Sequence, residues 1–400
     1  MDLILSLIVG YVIFAVFILY TLILGQSDYH RDGVIGWCHY FLTAGLQIHC
    51  LKCFSKICPR KVRSSFGSCY HYFMYKPNRI LQGLYLSLVL VGFYLFHKDA
   101  FPFLQAPYLE EFHKVGAIFM VSFTLITFII ASVSDPGIIT TDNVDQYNVY
   151  DYDRYLYIKK HCETCNFTKP ARSKHCRICD KCISRFDHHC PWINNCVGEK
   201  NLKYFLLFVL STAILCLYGA FLCGSIMYSF VKVKDLFNLG FHDNGRWVPI
   251  TTSMVVQFIA FETRSVLPLG ILCIVISVFL FYFFAYHLYL VVKNTTTNET
   301  FKWSDIKDQI KLQKLNNSNN DNSKSTQEDS SSNNNSNSKS KQQKRNQNSK
   351  KKDALFPSAA IDKYTLTLPL PDSFKDLKNI YNRGVINNII EVILPLSQNK

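Results

Sequence analysis

Five apolar blocks, each near the length of a membrane-crossing helix, limit what this chain can fold into: Leu3–Leu24, Ile80–Phe96, Val115–Val133, Tyr204–Phe230 and Val266–Val292. A helix needs about 20 predominantly apolar residues to cross a hydrocarbon core. Over 400 positions, 49% hydrophobic and 14% aromatic residues would suit two or three soluble domains, but apolar residues gathered into such blocks exclude that arrangement. The expected fold is all-α and polytopic, with about five transmembrane helices and a small cytosolic cysteine-rich domain.

The first block has only Asp2 as a charge before it and lacks a basic n-region and a small-residue cleavage site, so it is expected to be retained as a span. Arg31, Lys52, Lys56, Arg60, Lys61, Arg63, Lys76 and Arg79 crowd the 25–79 connection, whereas no Lys or Arg precedes the first block. The positive-inside rule then puts the N-terminus in the lumen. Residues 1–133 form three spans, 134–203 a cytosolic domain, and 204–293 two spans around a luminal 231–265 loop. The 97–114 connection is also luminal. A juxtamembrane segment follows at 294–315, then an Asn/Ser/Lys-rich insert at 316–353 expected to be disordered, and a segment at 354–400 that folds back onto the rest. No internal repeat is evident. The net charge of +14 fits anionic cytosolic lipid beside the spans better than nucleic acid, and the scarcity of ionisable residues inside the spans argues against a transporter.

Seven of the 15 cysteines fall between Cys162 and Cys196 on the expected cytosolic side, where thiols stay reduced and metal is the natural partner. The segment reads Cys162-x2-Cys165, His175-Cys176-x2-Cys179-x2-Cys182, Asp187-His188-His189-Cys190 and Cys196. Two tetrahedral zinc sites need eight ligands. Six cysteines and two histidines fill them, which leaves one Cys and one His of the Asp-His-His-Cys run uncommitted. A free Cys190 among basic groups would favour its thiolate; His188 would take its proton and Asp187 would orient the imidazole.

The run from His175 to Cys182, then Asp187-His188-His189-Cys190-Pro191-Trp192-Ile193-Asn194-Asn195-Cys196-Val197-Gly198, resembles the DHHC protein palmitoyltransferase family. That resemblance implies one zinc ion on Cys162, Cys165, His175 and Cys182 and a second on Cys176, Cys179, His189 and Cys196, with Cys190 and His188 as the catalytic pair. Asp135-Pro136-Gly137 matches the family's DPG motif. Thr296-Thr297-Asn298-Glu299 fits its TTxE motif, which implies active-site support from Thr297, although Thr three residues before Glu also reads as a helix capping box. Tyr381, Gly384, Asn388 and Val392 resemble the C-terminal family pattern, Tyr381 and Asn388 as packing and hydrogen-bonding residues. By the same resemblance Trp192 and Phe205 stand at the mouth of an acyl cavity.

The implied reaction is transfer of a fatty acyl group from palmitoyl-CoA or another acyl-CoA, through a Cys190 thioester, to cysteines of proteins near the membrane. Lys169, Arg172 and Lys174 are candidates for the CoA phosphates. The Thr-Thr-Asn-Glu variant and the extra N-terminal span resemble the early-secretory branch that acylates SNARE proteins, which implies an endoplasmic reticulum or other early secretory membrane. The alternative is a zinc-stapled membrane scaffold with inactive cysteine chemistry. With this orientation the sequons at Asn294 and Asn298 face the cytosol and stay bare; an endoglycosidase-sensitive glycan on either asparagine would overturn it.

Overall fold

The computed structural model describes residues 76–243, 245–263, 265–325 and 377–398, with scattered positions before 76 and at 371–374. Among the described residues four helices are long and apolar enough to cross a membrane: α1 (Ile80–Asp99), α2 (Phe112–Val133), α3 (Leu202–Val233) and, after the short α4 (Thr252–Glu262), α5 (Val266–Val292). They coincide with the last four expected spans. The expected span at Leu3–Leu24 lies largely outside the described residues, as do Cys50, Cys53 and Cys58.

Helix α3 is the hub, packed against α2 and α5. In a bundle without water the packing is completed by small polar side chains that find each other across helices. The Thr127 and Ser211 hydroxyls lie 2.7 Å apart, and the Tyr85 hydroxyl is 3.1 Å from Thr212 Oγ1. At the end of α2 the chain must leave the helix at once. The Asn195 amide donates to the Ser134 carbonyl at 2.8 Å, and Asp135 Oδ1 accepts from the backbone of Gly137 and Ile138 at 2.9 and 3.0 Å. Gly137 takes a φ of +96°, which a side chain would strain.

The cysteine-rich segment folds into short antiparallel hairpins. β2 (Lys160–Cys162) pairs with β3 (Phe167–Lys169), β4 (Lys174–Cys176) with β5 (Lys181–Ile183), and β6 (His188–Cys190) with β7 (Asn195–Val197); β1 (Ile138–Ile139) adds to the far edge of β5. Strands of two or three residues bury too little to hold themselves together, so cross-links must carry this domain. A fourth hairpin, β8 (Gly240–Asp243) with β9 (Arg246–Pro249), lies in the 231–265 loop.

Helix α6 (Thr297–Ser325) begins with the expected capping box: Glu299 N donates to Thr296 Oγ1 at 3.2 Å and Thr296 N to Glu299 Oε2 at 2.9 Å. The helix continues through 316–325, which the composition assigned to disorder. Propagating a capped helix costs far less than nucleating one, so weak formers such as Asn and Ser extend it. The remainder of that insert lies outside the described residues. The tail returns as α7 (Val385–Ile393), packed on α5 and α3.

The hairpin domain, the end of α5, the start of α6 and the tail meet at one buried polar junction. Arg172, fully buried, donates to both carboxylate oxygens of Glu299 at 2.8 Å and to Asn294 Oδ1 at 2.8 Å. Its guanidinium lies 4.5 Å from the Tyr381 ring centroid and 5.1 Å from that of Tyr150. Arg185 donates to the same Asn294 oxygen at 2.9 Å, and Glu391 of α7 stands 3.6 Å from both guanidiniums. The Asn294 amide, in the left-handed turn that ends α5, donates to the Tyr381 carbonyl at 2.8 Å and to Glu391 Oε2 at 2.9 Å. Asn388 donates to the Val292 carbonyl at 2.8 Å. Two guanidiniums thus face two carboxylates, and the charge closes on itself.

Two consequences are measurable. Asn294 and Asn298 are buried, so their lack of a glycan reports burial on either side of the membrane. Orientation is read instead from the exposed Asn166 of the Asn166-Phe167-Thr168 sequon: it stays bare, while Arg246→Thr, which completes a sequon at Asn244 in the loop expected to be luminal, adds one glycan. Arg172→Met strands two buried carboxylates and costs about 3–5 kcal/mol, whereas Arg172→Met combined with Glu299→Met recovers most of it. Thermal unfolding in detergent measures both, and equal loss in the single and double variants would contradict the pairing.

Candidate active site and metal centres

Alternation along β6 sorts its three residues. Side chains of a strand point to opposite faces in turn, so His189 faces one way and His188 and Cys190 the other. On the His189 side, the ligand atoms of Cys176, Cys179, His189 and Cys196 lie within 4.8 Å of one another, and Cys162, Cys165, His175 and Cys182 gather equally closely. Each histidine sits directly across its hairpin from the last cysteine of its set, His175 opposite Cys182 and His189 opposite Cys196.

The donor geometry fits zinc. Tetrahedral bonds of about 2.3 Å to sulfur and about 2.0 Å to nitrogen separate S and N by roughly 3.6 Å. His175 Nδ1 is 3.7, 3.4 and 3.8 Å from the sulfurs of Cys162, Cys165 and Cys182. His189 Nδ1 is 3.9, 3.3 and 3.6 Å from those of Cys176, Cys179 and Cys196. Asp180 Oδ1, 3.3 Å from His175 Nε2, supplies the outer contact that orients a ligating imidazole.

The two sets also reveal a repeat that no domain-scale reading detects. Cys162 to Cys176, Cys165 to Cys179, His175 to His189 and Cys182 to Cys196 are all displaced by 14 residues. Cys190 is 14 residues beyond Cys176, but the position 14 beyond Cys179 is Ile193. Cys190 therefore has the register of a first knuckle cysteine and no second one beside it.

On the other face of β6 stands a connected acid-base set. Asp187 Oδ2 is 2.6 Å from His188 Nδ1, and the Thr297 backbone N–H and hydroxyl donate to Asp187 at 2.6 and 2.9 Å. Thr297 thus holds the carboxylate that holds the histidine, while its neighbour Thr296 closes the capping box; the two readings of Thr-Thr-Asn-Glu apply to adjacent threonines. Burial resists the charge of Asp187, but His188 and Thr297 outweigh it and keep its carboxyl below the usual range. Burial likewise resists the charge of His188, and Asp187 and the Cys190 thiol overcome this, pushing it up to about 10. Cys190 is buried in one apolar cluster with Tyr85, Phe128, Phe205, Phe208 and Val291, so the thiol opens onto the membrane helices.

Of the other expected residues, Phe205 is brought in: buried in α3, its ring lies 5.2 Å edge-on from His188. Trp192 is 42% exposed on the surface, outside that cluster. Lys174 is tied to Asn298 Oδ1 at 2.7 Å, and Lys169 lies half-buried at the end of β3. Arg172 is corrected outright as a CoA phosphate contact, because full burial against Glu299 leaves it no access to a soluble anion. Asn294 is read in the sequence only as a sequon, and Arg185 and Glu391 go unnoticed, as does His287, which packs 5.9 Å from His188 between ring centroids. The available signal for His287 is a lone imidazole in an apolar run.

Comparison with known proteins agrees with this site. The DHHC palmitoyltransferase family model matches residues 156–304, which hold both ligand sets, Asp187 to Cys190 and Thr297. Palmitoyltransferase swf1 of Schizosaccharomyces pombe is 28% identical over 300 residues, 74% of this chain and 79% of its own. Palmitoyltransferase SWF1 of Yarrowia lipolytica is 30% identical over 319 residues, 78% of each chain. Palmitoyltransferase ZDHHC4 of Mus musculus is 36% identical over 206 residues, 50% of this chain and 57% of its own. A zinc-ready hairpin domain carrying Asp187, His188 and Cys190 against membrane helices, matched over most of the chain by the two swf1 relatives, makes this protein a member of the DHHC palmitoyltransferase family.

Proposed function

We propose that the chain is a protein S-acyltransferase in which Cys190 carries the acyl group, His188 exchanges its proton and Asp187 fixes the imidazole. The observation that carries this reading is the split across β6: His189 turned to the metal ligands, His188 and Cys190 turned together into the apolar cluster of α1, α2, α3 and α5. The Cys190 thiolate attacks the thioester of acyl-CoA, and CoA leaves as a thiol. A substrate cysteine then takes the acyl group from Cys190, and His188 moves the proton in each half. One thioester replaces another, so positioning supplies much of the acceleration. Burying the chain is worth about 0.8 kcal/mol per CH2, which ties the reaction to the membrane helices.

Zinc, two ions per chain, serves to cross-link the hairpins and so to set the β6 register. The acyl donor is palmitoyl-CoA or a similar acyl-CoA. Acceptors are membrane proteins with cytosolic juxtamembrane cysteines, SNAREs among them, at an endoplasmic reticulum or early secretory membrane; the swf1 relatives support that branch. No observation favours the inactive scaffold.

Metal analysis of purified protein approaches two zinc ions per chain, Cys176→Ala loses metal and aggregates, and Cys190→Ser keeps both ions. Zinc loss in Cys190→Ser would make Cys190 a ligand and end the catalytic assignment. In single-turnover labelling with radiolabelled acyl-CoA, wild type forms a hydroxylamine-labile adduct and Cys190→Ser forms none. His188→Ala loads about 10²–10⁴-fold more slowly at neutral pH. That deficit shrinks as pH rises through about 8.5, where a free thiol ionises without help; a deficit constant across pH would argue against proton exchange by His188.

A further inference from the structure

One imidazole near His188 has no part in the mechanism above. His287 is the single acidic or basic side chain in α5 and is 3% exposed. Among the described residues neither of its ring nitrogens has a hydrogen-bond partner. Its ring packs edge-on against Phe283 at 4.6 Å and Phe205 at 5.4 Å and lies 5.9 Å from that of His188. His188 Nδ1 is taken by Asp187, so its other nitrogen turns away from the carboxylate on the face it shares with Cys190. His287 approaches this pair from the membrane side. An ionisable residue inside a span is by default a functional one.

Resting on the acyl-enzyme reading, we propose that His287 donates an imidazole N–H to the carbonyl oxygen of the acyl group being transferred, and that this bond strengthens as the oxygen gains charge. In loading, the Cys190 sulfur bonds to the carbonyl carbon and the C=O π pair moves onto oxygen. The pair returns as the bond to the CoA sulfur breaks. In transfer, the acceptor sulfur bonds and the bond to Cys190 breaks. No proton leaves His287 in either half.

The test compares His287→Phe and His287→Leu, which keep apolar bulk without a donor, with His287→Gln, which restores an N–H. The readouts are single-turnover loading, the KM for palmitoyl-CoA, zinc content and the infrared band of a 13C=O-labelled acyl-enzyme. Both donor-free variants load about 10²–10³-fold more slowly, the usual effect of losing one oxyanion donor, with KM and zinc unchanged and the carbonyl band moved to higher frequency. His287→Gln recovers most of the rate and the wild-type band. Wild-type loading in either donor-free variant, or a carbonyl band that does not respond to the donor, overturns the proposal. Absence of any Cys190 adduct in wild type overturns the acyl-enzyme reading instead.

Discussion

The architecture of the cytosolic face depends on the pairing of Arg172 and Arg185 with Glu299 and Glu391 around Asn294. The members come from four different pieces of chain: both arginines from the hairpin domain, Asn294 from the end of α5, Glu299 from the start of α6, Glu391 from the tail. A buried charge tolerates no loose partner, so the junction forms only when all of these pieces are in place together. Through Glu299 the junction also fixes the first turn of α6, and that turn presents Thr297 to Asp187. The carboxylate of the acid-base set is therefore positioned by a salt bridge in which it takes no part.

Strand register does the remaining sorting. Because side chains alternate, one residue of slip in β6 would exchange His189 for the His188–Cys190 pair and put the Cys190 thiol among the candidate metal ligands. The cross-strand partners His189 with Cys196 and Cys190 with Asn195 pin that register, and Asn195 in turn grips the end of α2. Gly198 extends the same logic. A Cβ there would run into the Pro136 carbonyl and Ile183, so only glycine lets the domain close onto the turn after α2.

Much of this is legible in the sequence where the determinant is local. Four spans show as apolar runs, the ligand sets as Cys-x2-Cys pairs with spaced histidines, and Thr297 as part of a capping sequence. What is not legible depends on distant partners. Lys169, Arg172 and Lys174 look alike as a basic cluster, and only Glu299, 127 residues further on, makes Arg172 internal. The tail carries an aliphatic helix pattern, yet Asn388 and Glu391 on its buried face acquire meaning only from the backbone at Val292 and from the arginines. The helical stretch at 316–325 hides for a different reason: composition measures propensity, and a helix already started needs little of it.

The 14-residue displacement between the ligand sets bears on how such a site arises. A metal-binding module repeated along a chain has a natural stopping point, and here it stops one ligand into a third copy, with Ile193 where the knuckle would close and buried in the cluster around Cys190. In the two complete sets that register belongs to a ligand position; without a companion at 193, the Cys190 thiol is left outside both sets. What separates a ligand position from a free thiol in this register is therefore a single side chain, Ile193 in place of a second cysteine.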